Sequence, residues 1–318
     1  MIPMFFSIDD AYAPYLAAAL CSAIDHASDD RCYKAIILHQ ELSQENISRL
    51  ASLATENFSI EFVPMTQGLD AITDTMSNRL RCDYFTLTIY FRLFIPRMFP
   101  QYNKAIYIDS DVILLEDPAK LFDIPLQGNL IGACVDRSVG HVPQLVNYME
   151  NAVGVPKEKY INSGVLLMDL QKLRQAELDR HFLQLLNTYH FDCIAPDQDY
   201  LNYLCRGKVY YFDAGWNKQP NQNVDFDENK IHLIHYNMFN KPWHYYGVKY
   251  ESYFWEAAKA TPYYEELIAS RESYTEKERE CDLEGAKKLI AATVEIMRDK
   301  CSFCHVIGKD YFEKTRLD

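Results

Sequence analysis

Short apolar runs rich in β-branched and aromatic residues alternate with helical patterns along the N-terminal part of the chain, and this alternation constrains the fold more than any other feature. MFFSI precedes AYAPYLAAALCSAIDHA, YKAIILH precedes SQENISRLASLATE, FSIEFVPM precedes TLTIYFRLFIPRMF, and KAIYID follows. Strands joined by helix-length crossovers pair in parallel, so the pattern predicts an α/β protein with a mostly parallel central sheet flanked by helices. Further strands are expected at NLIGACVD, YINSGVLLMDL, KVYYFDAGWN and IHLIHYN, with helices over QKLRQAELDRHFLQLLNTYH and DQDYLNYLC. From about Tyr263 the composition shifts to charged helix. That shift divides the chain into a main α/β domain, 1–262, and a C-terminal helical extension, 263–318.

Ligands of such sheets sit at the carboxyl ends of the strands. Asp9 and Asp10 follow the first strand, while Asp109 and Asp111 close the fourth, in 104-KAIYIDSDVILL-115. Both acidic pairs are therefore expected in one crevice. Side chains two apart in an extended segment point the same way, so Asp109 and Asp111 can face one point with Ser110 turned aside. Two carboxylates so placed either cap turns and face water, or hold a hard cation such as Mg²⁺ or Mn²⁺ against a substrate's phosphates. His235 ends another apolar strand, in IHLIHYN, where imidazole can be a buried polar residue or a third ligand. Lys241 and Trp243 follow closely, a cation for phosphate and an aromatic face for a sugar or base. In APDQDYLNYL, Asp197, Gln198 and Asp199 have two readings as well, an acidic first helical turn favoured by the helix dipole or part of the site.

The net charge of −13 argues against a nucleic-acid partner, because binding to a phosphate backbone rests on clustered Lys and Arg. No apolar run reaches the roughly 20 residues of a membrane helix. The opening MIPMFFSIDD breaks its apolar stretch with two aspartates and lacks a basic start, so a cytoplasmic protein is expected. Nine scattered cysteines suit reduced thiols better than a disulfide framework. The string CSFCH, with Cys301, Cys304 and His305, matches covalent haem attachment, a chemistry that needs an export signal the chain does not display.

Six motifs in order, FSIDDAYAPYL, YFRLFIP, AIYIDSDVIL, INSGVLLMDL, APDQDYLN and IHYNMFNKPW, resemble the family-8 glycosyltransferases, which include bacterial lipopolysaccharide galactosyl- and glucosyltransferases and are related to glycogenin. The resemblance spans about residues 2–245. It implies a GT-A nucleotide-diphospho-sugar transferase fold and retention of configuration at the anomeric carbon. It further implies that Asp109, Asp111 and His235 hold Mn²⁺, with Mg²⁺ as the alternative, against the diphosphate of a UDP-sugar. Asp9 is expected to read the uracil edge, with Tyr12 stacked on its face. Arg92, Asn162, Asp197 and Gln198 are expected around the donor sugar, Gln198 near the anomeric carbon, and Lys241 on the diphosphate. Ala11 departs from a polar donor-contacting residue of some relatives, and Met238 and Phe239 from small residues near the phosphates.

The resulting expectation is a UDP-sugar-dependent hexosyltransferase, moving glucose or galactose to a glycan or lipid-linked saccharide hydroxyl. The uncharged Gln198 is a poor nucleophile, which favours front-face attack over a covalent intermediate on Asp197. The rival classes are a haloacid-dehalogenase-like sugar phosphatase, which carries its D-x-D on the first strand, and a nucleotide-sugar-binding module without chemistry. In the extension, KKLIAATVEIM sets Ile290, Val294 and Met297 on one helical stripe between basic ends, Lys287 and Lys288, then Arg298 and Lys300. Such a stripe packs on the catalytic domain or a sister subunit in a homo-oligomer, or makes a peripheral membrane contact at the inner face.

Overall fold

The computed structural model describes residues 1–65, 87–220, 226–299 and 301–307. Strands β1 (Ile2–Ile8), β2 (Tyr33–His39), β3 (Phe58–Pro64), β4 (Lys104–Ile108), β6 (Ile131–Val135), β7 (Ile161–Asp169) and β8 (Val209–Tyr211) form one sheet in the order β3-β2-β1-β4-β7-β6-β8. Strands β5 (Val112–Leu114) and β9 (Leu233–His235) form a small second sheet. β1, β2, β3 and β4 are mutually parallel, and β7 alone runs against its two neighbours. The α/β expectation is met.

Helices cover both faces of the large sheet, so its central strands read as continuous apolar runs and not as alternations. Alternate side chains of one strand serve opposite cores: Phe5, Tyr107, Leu166 and Met168 face one, Met4, Phe6, Ile106 and Leu167 the other. The first core lies under α3 (Phe91–Met98), α7 (Leu178–Tyr189) and α8 (Pro196–Leu204); the second lies under α1 (Ala13–Asp25) and α9 (Glu251–Lys259). Only β3, at the edge, alternates buried and exposed positions, and Glu61 there pairs with Lys34.

One strand, β5, was not expected, and two segments differ from the sequence expectation. The run at residues 104–115 is two strands: β4 belongs to the large sheet, while β5 pairs antiparallel with β9, setting Val112 opposite His235. Asp109, Ser110 and Asp111 are therefore the step from one sheet to the other, and Ser110 is buried. KVYYFDAGWN keeps only three strand residues, because Asp213 caps the N–H of Gly215 at 2.8 Å and starts a 3₁₀ turn over Ala214–Asn217. The helix expected from Gln171 breaks into α6 (Leu170–Gln175) and α7, with Glu177 in the left-handed region at φ 48°. Before the break α6 packs on α3, β4 and β7, and after it α7 packs on α3 and α8.

The remaining short helices are α2 (Gln44–Ala51), whose N-cap Ser43 accepts from Asn46 N at 3.2 Å, α4 (Pro118–Phe122) and α5 (Pro143–Tyr148). The C-terminal helices are α10 (Tyr264–Ser273), α11 (Glu276–Asp299) and α12 (Phe303–Ile307). They share the cores of the body: Tyr263 and Leu267 join Phe254 and Ala258 in one, and Leu289, Ile296, Phe303 and Ile307 belong to the other. The buried face of α11 is Gly285, Leu289, Thr293 and Ile296, one step round from the expected stripe. Val294 is 55% exposed, and Lys300 lies outside the described residues. CSFCH is a packing segment: the Phe303 ring lies 4.2 Å from that of Phe191 and 4.8 Å from that of Tyr203. No described helix is long and apolar enough to cross a membrane.

Candidate active site

Strand order reverses between β1 and β4, and the crevice beyond the carboxyl ends of these two strands is where an open α/β sheet binds ligands. A cavity of about 240 Å³ opens there, lined by Asp9, Tyr12, Arg92, Tyr107, Asp109 and Asp111 among others. Of the first acidic pair, only Asp9 faces it. Asp10 turns to α2, accepting from Ser43 N at 2.7 Å and Asn46 Nδ2 at 2.8 Å, and the Ser43 N–H holds its carboxyl below the usual range. Tyr12 is 39% exposed at the rim, its N–H bonded to Asp9 Oδ1 at 3.2 Å.

Asp109, Asp111 and His235 offer ligand atoms within 4.8 Å of one another. His235 Nε2 lies 3.2 Å from Asp111 Oδ1 and 3.7 Å from Asp109 Oδ2. The polarity of this corner follows from one backbone group. Gly164 N–H donates to Asn162 Oδ1 at 3.0 Å, so Asn217 Nδ2 must be the group that donates to the same oxygen at 2.9 Å. Asn217 then presents Oδ1 to His235 Nδ1, also at 2.9 Å, and that ring nitrogen must donate. In the neutral ring, Nε2 is left with its lone pair toward two carboxylates. Three acceptors around one point, oxygen, oxygen and nitrogen, suit a first-row divalent cation.

Gly164 is required by closeness. A Cβ there would come within 2.3 Å of His235 Cε1 and 2.6 Å of Asp109 Oδ2. Lys241 bonds Asp111 Oδ2 at 2.5 Å and the Tyr236 carbonyl at 2.6 Å. Burial acts to raise the Asp111 pKa, but the Lys241 ammonium bonded to it acts the other way, and the carboxyl is held well below the usual range.

A buried circuit joins the remaining expected residues to this corner. Arg92, only 4% exposed, donates to Asp109 Oδ1 at 3.0 Å and lies 3.2 Å from Asp197 Oδ2. Burial opposes the arginine's charge, and Asp109 and Asp197 more than offset it. Ser163 Oγ donates to the same Asp197 oxygen at 2.9 Å, and Ser163 N donates to Gln198 Oε1 at 3.1 Å. Gln198 Nε2 and Asn162 Nδ2 both reach Asp136 Oδ2 at 3.2 Å, and Asn162 closes the circuit through Asn217 to His235. Asp199 stands apart. Its carboxylate takes Tyr148 and Tyr160 hydroxyls at 2.7 and 2.5 Å and the Ala195 N–H at 3.1 Å, so it anchors the start of α8.

The sequence reading missed Asp136, Ser163, Gly164 and Asn217. Asp136 did carry the signal used for Asp109, an aspartate closing the apolar run IGACVD. Asn217 followed a turn signature, DAGWN, which was read as strand.

The open α/β sheet with its switch point above this site places the chain in the GT-A fold class. Within that class the chain belongs to glycosyl transferase family 8, whose profile matches residues 3–247. It is 24% identical over 215 residues to general stress protein A of Bacillus subtilis, covering 66% of this chain and 71% of that protein. It is 27% identical over 201 residues to the lipopolysaccharide 1,2-glucosyltransferase of Escherichia coli strain K12, covering 55% of this chain and 56% of that one. The fold is similar to that of galactosyltransferase LgtC, solved in complex with donor and acceptor sugar analogs. The TM-score is 0.68 at 24% identity, over 82% of this chain and 96% of that chain. Family membership removes the phosphatase reading.

Proposed function

We propose that the protein is a retaining hexosyltransferase that moves glucose or galactose from a UDP-sugar to a hydroxyl of a glycan or lipid-linked saccharide. The observation that carries this reading is the convergence of Asp109, Asp111 and His235 within 4.8 Å, beside a cavity that also takes in Asp9 and Tyr12. Asp109, Asp111 and His235 would hold Mn²⁺, or Mg²⁺ in its place; when bound, the ion supplies Lewis-acid stabilisation of the leaving diphosphate. Lys241 neutralises phosphate charge on the same side. Tyr12, at the rim, offers its ring to the uracil face, and Asp9 accepts from the uracil edge.

The sugar is assigned to the side of Arg92, Asn162, Asp197 and Gln198. Gln198 is held at both ends of its amide, by Ser163 N and by Asp136, so its position does not depend on the ligand. A fixed amide dipole suits the stabilisation of positive charge developing on the sugar. Asp197 is less suited to attack: one of its oxygens is engaged by both Arg92 and Ser163. These contacts support front-face transfer, in which the acceptor hydroxyl enters on the face the diphosphate leaves and gives its proton to a phosphate oxygen. The test is a donor screen following UDP release from UDP-glucose, UDP-galactose and their N-acetyl analogues, with and without saccharide acceptors. Release from none of them, with tight UDP-sugar binding, would favour a binding module over an enzyme.

A further inference from the structure

A second cavity, of about 720 Å³, continues from the metal-ligand corner on the far side of Tyr12. Its lining runs from Ala11 and Tyr12 to Asp111 and Lys241, and its opposite wall is α11, through Cys281, Glu284, Gly285 and Lys288. These four positions fall three, four and seven apart and so share one helical face. The wall is fixed in place. Asp282 takes the Tyr245 hydroxyl at 2.7 Å and the Tyr274 hydroxyl at 2.8 Å, and the N–H of Tyr245 bonds the carbonyl of Lys241. His244 stacks on Tyr274 with ring centroids 4.0 Å apart, and burial pushes its pKa down to about 4, so it adds no charge to the wall at neutral pH.

We infer that α11 supplies a ribose subsite, in which the Glu284 carboxylate accepts hydrogen bonds from the vicinal hydroxyls of the nucleoside. The inference rests on the donor assignment above. If the base lies on Tyr12 and the diphosphate at Asp111 and Lys241, the ribose lies between them, in the stretch of cavity that α11 faces. On the wall facing α11, among the described residues, Ala11 brings a methyl group where a polar side chain could have bonded the sugar. Glu284 is exposed to the cleft, and its carboxylate makes no hydrogen bond or ion pair among the described residues. A carboxylate on ribose hydroxyls is an established pairing in nucleotide-binding α/β folds. Gly285 beside it places no side chain in the cavity, at the cost a glycine carries inside a helix. Helix α11 lies outside the residues that match the family profile.

The test compares UDP with 2′,3′-dideoxy-UDP by titration calorimetry in the presence of Mn²⁺, on the full chain and on Glu284→Ala. A hydrogen bond to a charged group makes a difference of about tenfold or more in affinity. The full chain should prefer UDP by that factor, and Glu284→Ala should lose the preference while its affinity for dideoxy-UDP stays unchanged. A preference that survives in Glu284→Ala, or an equal loss for both ligands, overturns the ribose assignment and leaves the UDP-sugar reading standing. Failure of the full chain to bind either nucleotide overturns both.

Discussion

His235 keeps its Nδ1 proton on Asn217 because a chain of fixed donors, beginning at the Gly164 N–H, leaves no other arrangement. Partners that orient a ligating histidine typically matter 10- to 100-fold in metal affinity, so Asn217→Ala should weaken Mn²⁺ binding by about that factor. Calorimetric titration with the metal alone reads it, and an unchanged affinity refutes the role. Asp111→Asn should abolish donor turnover while leaving circular dichroism unaltered, since the side chain keeps its shape and loses its charge. Full activity of the unaltered enzyme in excess chelator would contradict the metal assignment behind that expectation. Gln198→Ala should lower kcat more than it raises KM, because its amide is assigned to charge that develops only in the transition state. An unchanged kcat sinks that assignment.

At the scale of elements, α12 is five residues long and cannot hold itself together by local propensity. Phe303 anchors it, fully buried among Phe191, Tyr200 and Tyr203. Phe303→Ala should therefore cost about 3–5 kcal/mol, the range for emptying a buried phenylalanine site. Chemical denaturation measures it, and a loss below about 1 kcal/mol would mean that the helix is not docked on the body. Elements were legible where an apolar run was long and bounded by polar or turn residues, as in β1, β2, β4, β7 and α1. They were misread where a turn was set by a side chain, at Asp213, or by a left-handed residue that sequence pattern does not flag, at Glu177. The stripe of α11 was read one step off, because Thr293 and Gly285 are small enough to sit under the body while Val294, though more apolar, faces out.

At the scale of the molecule, the C-terminal helices share both cores with the rest of the chain, so ligand binding at the crevice should stabilise the whole. With Mn²⁺ and UDP at 100 times their dissociation constants, the stabilisation from each is about 2.7 kcal/mol. For a chain of this length that is a rise of several degrees in Tm. Differential scanning calorimetry with metal, nucleotide, and both together checks it. If the two together raise Tm by no more than the sum of the separate shifts, the metal and the diphosphate do not support each other at one site.

The sequence by itself determined the α/β class and the order of the strands along the chain, and it pointed to Asp109, Asp111 and His235, which the fold brings together. Asp109 follows an apolar strand of the large sheet, where ligands gather at the carboxyl ends, and His235 ends an apolar strand of the small sheet that pairs with β5 directly after Asp111. Tertiary structure decided which acidic residue of each motif faces the crevice. Asp9 does and Asp10 does not; Asp197 joins Arg92, while Asp199 is held by two tyrosines. Neighbours in sequence diverge in this way because each carboxylate turns to the donors within its reach, and those donors come from the start of α2, from β7 and from α5, elements far away in the chain. The same reason kept Asn217 and Gly164 out of reach: one matters for the hydrogen bond it relays, the other for the atoms that lie where its side chain would be.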